Sequence, residues 1–211
     1  MRNMIIKVCG LREPENIAAI RELDIDWMGM IYYPNSPRYV GGSLDAVSFN
    51  GKERVGVFVN ESLANIKQAI FRFGLTMIQL HGDEEISFCK QVRRLRIKVI
   101  KAIAIREKQD FDIINDYEDN VDYILLDTKS EVKGGSGKKF DWSLLSNYTA
   151  DIPFLVSGGI GPDDVDNLKE INHSWFAGVD LNSRFEEAPG LKKVELVKEF
   201  VQEMRGVGNE V

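Results

Sequence analysis

Apolar and β-branched residues gather along the chain in short runs that recur about every two dozen residues, at positions 4–9, 27–31, 55–60, 77–81, 99–103, 123–127, 154–157 and 176–182. Each run has the composition of a strand. Between most of them the apolar positions change to a spacing of three and four, over 14–23, 61–73, 83–95, 161–171 and 190–204, which lays one apolar stripe along a helix. Strands alternating with helices require a parallel sheet, because parallel neighbours need a crossover and the crossover is usually a helix. Eight repeats within 211 residues predict the α/β class and a single-domain (β/α)8 TIM barrel over residues 1–205, with 206–211 as a frayed C-terminal tail. The helix pattern is weak after Gly42 and near Phe111. A flavodoxin-like sheet with fewer strands is therefore the alternative, and the strand count separates the two.

Composition narrows the setting. A hydrophobic share of 44% is enough for one substantial core, and a formal net charge of −6 leaves no global positive field for nucleic acid or an anionic membrane surface. Any anion must be held by local groups. The first residues show neither the apolar run nor the cleavage site of a signal peptide, and no stretch approaches the roughly 18 apolar residues of a membrane span, so the expectation is a cytoplasmic protein. Cys9 and Cys89 lack CxxC spacing and read as free thiols.

Polar residues fall at the C-terminal ends of the predicted strands, where a barrel carries its chemistry: Cys9, Asn60, His81, Asp127, and Asp180 with Asn182. Side chains alternate along a strand, so Lys7 shares a face with Cys9, and Asp127 shares one with Tyr123 and Leu125. If that face is the lumen, a thiol and a carboxyl look into one mouth. A nearby Lys7 would lower the Cys9 pKa from about 8.5 and let the thiolate act as a base. Ser157-Gly158-Gly159-Ile160-Gly161-Pro162 joins the seventh strand to a helix, and its glycines would let backbone N–H groups approach a phosphate. Loop 128–141 carries Gly134, Gly135 and Gly137 with Lys129, Lys133, Lys138 and Lys139, a candidate lid. After the second strand, Ser36-Pro37-Arg38 offers a stiff turn that could aim a guanidinium at a carboxylate.

Taken in order, these segments resemble the phosphoribosylanthranilate isomerase family of tryptophan biosynthesis. The resemblance rests on Lys7-Val8-Cys9-Gly10, Ser36-Pro37-Arg38, Val55-Gly56-Val57-Phe58-Val59-Asn60 and Gln79-Leu80-His81-Gly82-Asp83-Glu84. It continues through Leu126-Asp127, Gly134 to Gly137 ahead of Phe140-Asp141-Trp142, Ser157 to Ile160, and Gly178-Val179-Asp180 on to Ser183 and Glu186. It implies an Amadori rearrangement of N-(5-phosphoribosyl)anthranilate to 1-(2-carboxyphenylamino)-1-deoxyribulose 5-phosphate, with no metal or organic cofactor. By matching position, Asp127 would be the general acid at the ring oxygen and Cys9 the base that removes the C2′ proton of the Schiff base. Arg38 would hold the anthranilate carboxylate, and Gly158, Gly159, Asn182 and Ser183 the phosphate. Lys7, Gln79, His81 and Asp180 would line the mouth. The implied partner is a small phosphorylated substrate, on a monomer or a homodimer.

One departure stands out: after the eighth strand the family often has two small hydroxyl residues, a glycine and a valine, where this chain has Asn182, Ser183, Arg184 and Phe185. Arg184 either adds charge to the phosphate or points to solvent. A metal-assisted phosphosugar epimerase is disfavoured, because the chain has only two histidines and His173 lies outside any strand end. Indoleglycerol-phosphate synthase would need a longer chain. A barrel that only binds an anionic metabolite is the alternative outside catalysis.

Overall fold

The computed structural model describes residues 4–41, 49, 51–128 and 141–206. Eight parallel strands close on themselves: β1 (Ile5–Val8), β2 (Trp27–Ile31), β3 (Glu53–Phe58), β4 (Met77–Leu80), β5 (Lys98–Ile105), β6 (Tyr123–Thr128), β7 (Phe154–Val156) and β8 (Phe176–Leu181). β8 pairs with β1, so closure removes every open edge and excludes the open flavodoxin-like sheet. Alternation splits the side chains into two apolar layers. Trp27, Val55, Val57, Met77, Ile100, Ala102, Leu125 and Leu155 fill the lumen, and a larger set packs between sheet and helices.

Five α-helices cover the outside: α1 (Pro14–Ile20), α2 (Leu63–Phe73), α3 (Ile86–Arg93), α4 (Val165–Lys169) and α5 (Val194–Arg205). α2 starts at Ser62, whose Oγ accepts from the Asn65 amide at 3.2 Å, and ends at Gly74 in the left-handed region. Cys89 is buried on α3, where burial pushes its thiol up to about 11 and leaves it unreactive. His173 accepts from the Trp175 amide through Nδ1 and packs edge-on against Tyr148 and Phe154, a structural role away from the strand ends.

Where the helical pattern was weak, the crossover shortens. After β5 the chain makes two turns of 3-10 helix, Lys108–Phe111 and Ile114–Tyr117, and the buried residues Phe111, Ile114 and Tyr117 are spaced by three. That spacing stacks them along one face at three residues per turn, whereas an α-helix would rotate them off the core. The segment after Gly42 lies outside the described residues, as do loop positions 129–140 and the tail after Gly206.

The expected helix over 190–204 begins later, at Val194. Leu191–Lys192 (β10) instead pairs antiparallel with Glu186–Ala188 (β9), turning through Pro189-Gly190. This hairpin lies just beyond β8 and brings Glu186 and Lys192 back toward the barrel mouth.

Candidate active site

The C-terminal ends of the strands open into a cavity of about 630 Å³ lined by Cys9, Arg38, His81, Asp127, Gly158 and Asp180 among others. Gln79, Gly159, Asn182 and Ser183 line the same space, and Lys7 lies one pleat below Cys9. Ten of the expected positions thus meet in one cavity, with the eleventh beneath it. The register explains the first contact: Lys7 on β1 stands opposite Asp180 on β8, and Lys7 Nζ donates to Asp180 Oδ2 at 2.7 Å with both groups buried. Burial opposes the Lys7 charge, but Asp180 and Cys9 outweigh it and raise the pKa. The Cys9 amide continues the β1 to β8 ladder by donating to the Leu181 carbonyl at 2.8 Å, which fixes where the thiol stands.

One expectation is corrected here. Lys7 does pull the Cys9 pKa down, yet burial of the thiol and the Asp180 carboxylate push harder, so the net shift is upward. Physically, taking the thiolate out of water is the largest effect, and the opposing field of Lys7 is partly cancelled by Asp180. Cys9 is a stronger base once ionised, and it ionises later.

On the opposite side of the mouth, Asp127 ends β6 with its carboxyl about one quarter exposed, at 27%. Its Oδ1 accepts from the Thr128 amide at 2.8 Å, and Oδ2 lies 3.2 Å from His81 Nε2. The Gln79 amide nitrogen sits 2.7 Å from His81 Nδ1. An amide nitrogen only donates, so Nδ1 is the acceptor and the imidazole proton is on Nε2, aimed at Asp127. Two buried acceptors, Gln79 Oε1 and Asp180 Oδ1, have no hydrogen-bond partner among the described residues. Each costs about 1–3 kcal/mol unless a ligand donor meets it.

The turn after β7 is built against Asp127. Gly158 and Gly159 both have positive φ, 83° and 69°. A Cβ on Gly158 would lie 2.3 Å from Thr128 Oγ1 and 2.7 Å from Asp127 Oδ1, so only glycine fits. Gly161 gives its amide to Asp164 Oδ2 at 2.7 Å, which ties the turn to the helix that follows. Arg184 is exposed and lies along Gly161, with Nε 3.4 Å from where a Cβ would stand.

Arg38 is less free than the sequence suggests. Its Nε and Nη2 grip the Glu186 carboxylate at 2.7–3.0 Å. Glu186 Oε1 also receives Lys192 Nζ at 2.6 Å, and Lys192 donates to Asn182 Oδ1 at 2.8 Å. Burial works against the Glu186 charge, but Arg38 and Lys192 hold its carboxyl below the usual value, while burial lowers Lys192 against the pull of Glu186. Asn182 was expected at the phosphate, yet its side chain turns the other way: a Cβ on Gly10 would fall 2.7 Å from Asn182 Oδ1 and 2.8 Å from Arg38 Cδ. The brace of Glu186 and Lys192 was missed because positions 190–204 read as one helix; the Pro189-Gly190 turn signal between the two was the available clue.

Among the described residues no three His, Cys, Asp or Glu side chains converge to hold a metal, and no helix is long and apolar enough to cross a membrane. Fold and site together define the class: a (β/α)8 barrel whose strand-end thiol and carboxyl face one small-molecule cavity beside a glycine turn suited to phosphate. Comparison with known proteins sharpens this. The family model described as N-(5'phosphoribosyl)anthranilate (PRA) isomerase matches residues 6–203. The chain is 42% identical over 207 residues to the N-(5'-phosphoribosyl)anthranilate isomerase of Parabacteroides distasonis, covering 95% of this chain and 93% of that one. It is 44% identical over 202 residues to the enzyme of Phocaeicola vulgatus, covering 96% and 98%. Its structure is similar to that of monomers of the dimeric Thermotoga maritima phosphoribosylanthranilate isomerase, with a TM-score of 0.83, 30% identity and coverage of 97% and 100%. A phosphoribosylanthranilate isomerase in complex with reduced 1-(o-carboxyphenylamino)-1-deoxyribulose 5-phosphate gives a TM-score of 0.79 at 29% identity, with the same coverage. The chain belongs to the N-(5'-phosphoribosyl)anthranilate isomerase family.

Proposed function

We propose that this chain isomerises N-(5'-phosphoribosyl)anthranilate in tryptophan biosynthesis with Asp127 as general acid and Cys9 as general base. The observation that carries the assignment is their placement: a thiol at the end of β1 and a carboxyl at the end of β6 face the same cavity from opposite sides. Asp127 gives its proton to the ribose ring oxygen as the C1′–O bond breaks, and the nitrogen lone pair forms the Schiff base. The His81 Nε2–H then faces the carboxylate so produced. The Cys9 thiolate removes the C2′ proton, the electron pair moves to the cationic imine, and the resulting enol returns a proton to C1′ to give the 2′-ketone. Each positioned proton transfer is worth about 10²–10⁴ in rate.

The remaining groups bind. Arg38 faces the aryl carboxylate, the Gly158-Gly159 turn with the start of the Ser183 turn takes the phosphate, and the unpartnered Gln79 Oε1 and Asp180 Oδ1 accept ribose hydroxyls. Lys7 supports Cys9 from below. All of these residues come from one chain, so the site is complete in a monomer and in a homodimer alike. Residues 1–205 act as one catalytic domain, and the charged substrate and product suit a cytoplasmic enzyme. The test is loss of anthranilate-type fluorescence on mixing with fresh substrate without added metal, alongside Cys9→Ser and Asp127→Asn. Rapid loss in the parent protein with collapse in both variants supports the assignment; full activity in either folded variant removes that residue from its role.

A further inference from the structure

Asn182 stands where the family often has a small hydroxyl residue, and its side chain belongs to a different part of the site from the one its position suggests. The orientation of its amide is fixed by chemistry rather than by fit. Lys192 Nζ is surrounded by Glu186 Oε1 at 2.6 Å, Asn182 Oδ1 at 2.8 Å and the Asn182 carbonyl at 3.4 Å, three acceptors for the three protons of an ammonium. An ammonium cannot accept, so Asn182 must turn its oxygen to Lys192 and its NH2 group away from it. Among the described residues nothing receives a hydrogen bond from that NH2, and Asn182 lines the cavity.

Arg38 is held in the same way. Glu186 occupies its Nε and Nη2, and no hydrogen bond among the described residues uses Nη1. The side chains of Asn182 and Arg38 flank the same glycine, Gly10, whose positive φ of 74° and missing Cβ let them close in beside Cys9. The two side chains that carry these donors, one held by a carboxylate and one by an ammonium, thus pack on the same glycine. The buried charges of Arg38, Lys192 and Glu186 leave a surplus of one positive charge, which matches one carboxylate.

We propose that the Asn182 amide is a second ligand of the substrate's aryl carboxylate, oriented directly by Lys192 and paired with Arg38, to which Glu186 links that lysine. This rests on the isomerase reading above and moves Asn182 from the phosphate to the opposite end of the substrate. The amide adds one hydrogen bond to a charged group, worth about tenfold in affinity.

The test is calorimetric titration with two stable ligands: reduced 1-(o-carboxyphenylamino)-1-deoxyribulose 5-phosphate and its phenylamino counterpart, which has the same sugar phosphate and no carboxylate. Asn182→Ala should weaken the first by about tenfold and leave the second within twofold; Asn182→Ser, which restores the family's small hydroxyl, should lie between. Lys192→Met, which frees the amide to rotate, should show the same selective loss. Equal weakening of both ligands, or none in folded variants, overturns the proposal and returns Asn182 to the sugar phosphate or to structure. If the parent protein binds neither ligand, the isomerase reading itself fails, a result distinct from the first.

Discussion

Replacing Gly158 with alanine tests whether the turn after β7 sets the position of Asp127. The φ of 83° is left-handed, which costs a residue with a Cβ about 1–2 kcal/mol. The new methyl would also stand 2.3 Å from Thr128 Oγ1 and 2.7 Å from both Asp127 Oδ1 and the Thr128 amide. Bringing the first contact out to 3.0 Å moves the end of β6 or the turn by about 0.7 Å, and overpacking of this kind costs about a further 1–3 kcal/mol. The total of about 2–5 kcal/mol corresponds to a fall in Tm on the order of 10 °C for a chain of this size. The functional effect is larger in proportion. Thr128 N is the donor that fixes Asp127 Oδ1 at 2.8 Å, so the displaced strand end carries the carboxyl with it. A misplacement near 1 Å costs about 10²-fold in a positioned group. The assay is kcat/KM by fluorescence decay at a temperature where circular dichroism shows the variant folded. Gly51→Ala is the control: its φ is 80°, no atom of the described residues lies within 4 Å of its Cβ, and it precedes β3 at the far end of the barrel. It should lose about 1–2 kcal/mol and keep kcat/KM. Folded Gly158→Ala with kcat/KM within threefold of the parent would falsify the argument that this contact holds the acid in place.

Three more outcomes follow from the charges. Because the Cys9 pKa is raised, log(kcat/KM) should climb with pH beyond the ordinary thiol value of about 8.5, and Lys7→Met should move that limb higher still by removing the charge that lowers it; ultraviolet titration of the thiolate checks both. The Glu186 carboxyl is held below its unfolded value near 4.5, so the stability it contributes is complete above that pH and fades as pH falls through the lower folded value; Glu186→Gln should flatten the acid side of a Tm profile. Lys101 and Glu84 form a buried pair at 2.9 Å, so Lys101→Ala leaves a buried carboxylate uncompensated and should cost about 3–5 kcal/mol in urea unfolding.

The strand ladder was readable because short apolar, β-branched runs at regular intervals, alternating with helical spacing, have few other solutions in a chain of this length. The crossovers were less so. Phe111, Ile114 and Tyr117 carry a spacing of three that an α-helix and a 3-10 helix share, so the pattern alone does not reveal the two 3-10 turns between β5 and β6. Cys9 and Asp127 could be placed at strand ends from pattern alone, whereas the sign of the Cys9 shift could not. That sign depends first on how deeply the thiol is buried and then on Asp180, 171 residues away, which stands opposite Lys7 only once the barrel closes. Lys192 misled for a related reason: a lysine at the start of an amphipathic stretch reads as a solvated helix residue, and its burial comes from Glu186, which the Pro189-Gly190 turn brings up, and from Asn16, whose approach no local signal encodes.

The same pairing accounts for how an acidic chain, at −6, can hold a substrate with both a carboxylate and a phosphate. Among the described residues, the two cations that line the cavity each already face a carboxylate: Arg38 faces Glu186 and Lys101 faces Glu84. Lys7 below them faces Asp180. Of these described groups, the cluster of Arg38, Lys192 and Glu186 carries a surplus charge, and it sits at the β1 and β2 side of the mouth. On the β7 side the Gly158-Gly159 turn brings no buried cation among the described residues, so the phosphate binding proposed there would draw on backbone N–H dipoles, which need no countercharge. In the proposed binding mode the two ends of the cavity recognise anions by different physics. A carboxylate gains from the surplus charge at Arg38, while a phosphate gains from the number of N–H donors a glycine turn can point at three oxygens, and this asymmetry gives the substrate one direction in which to bind.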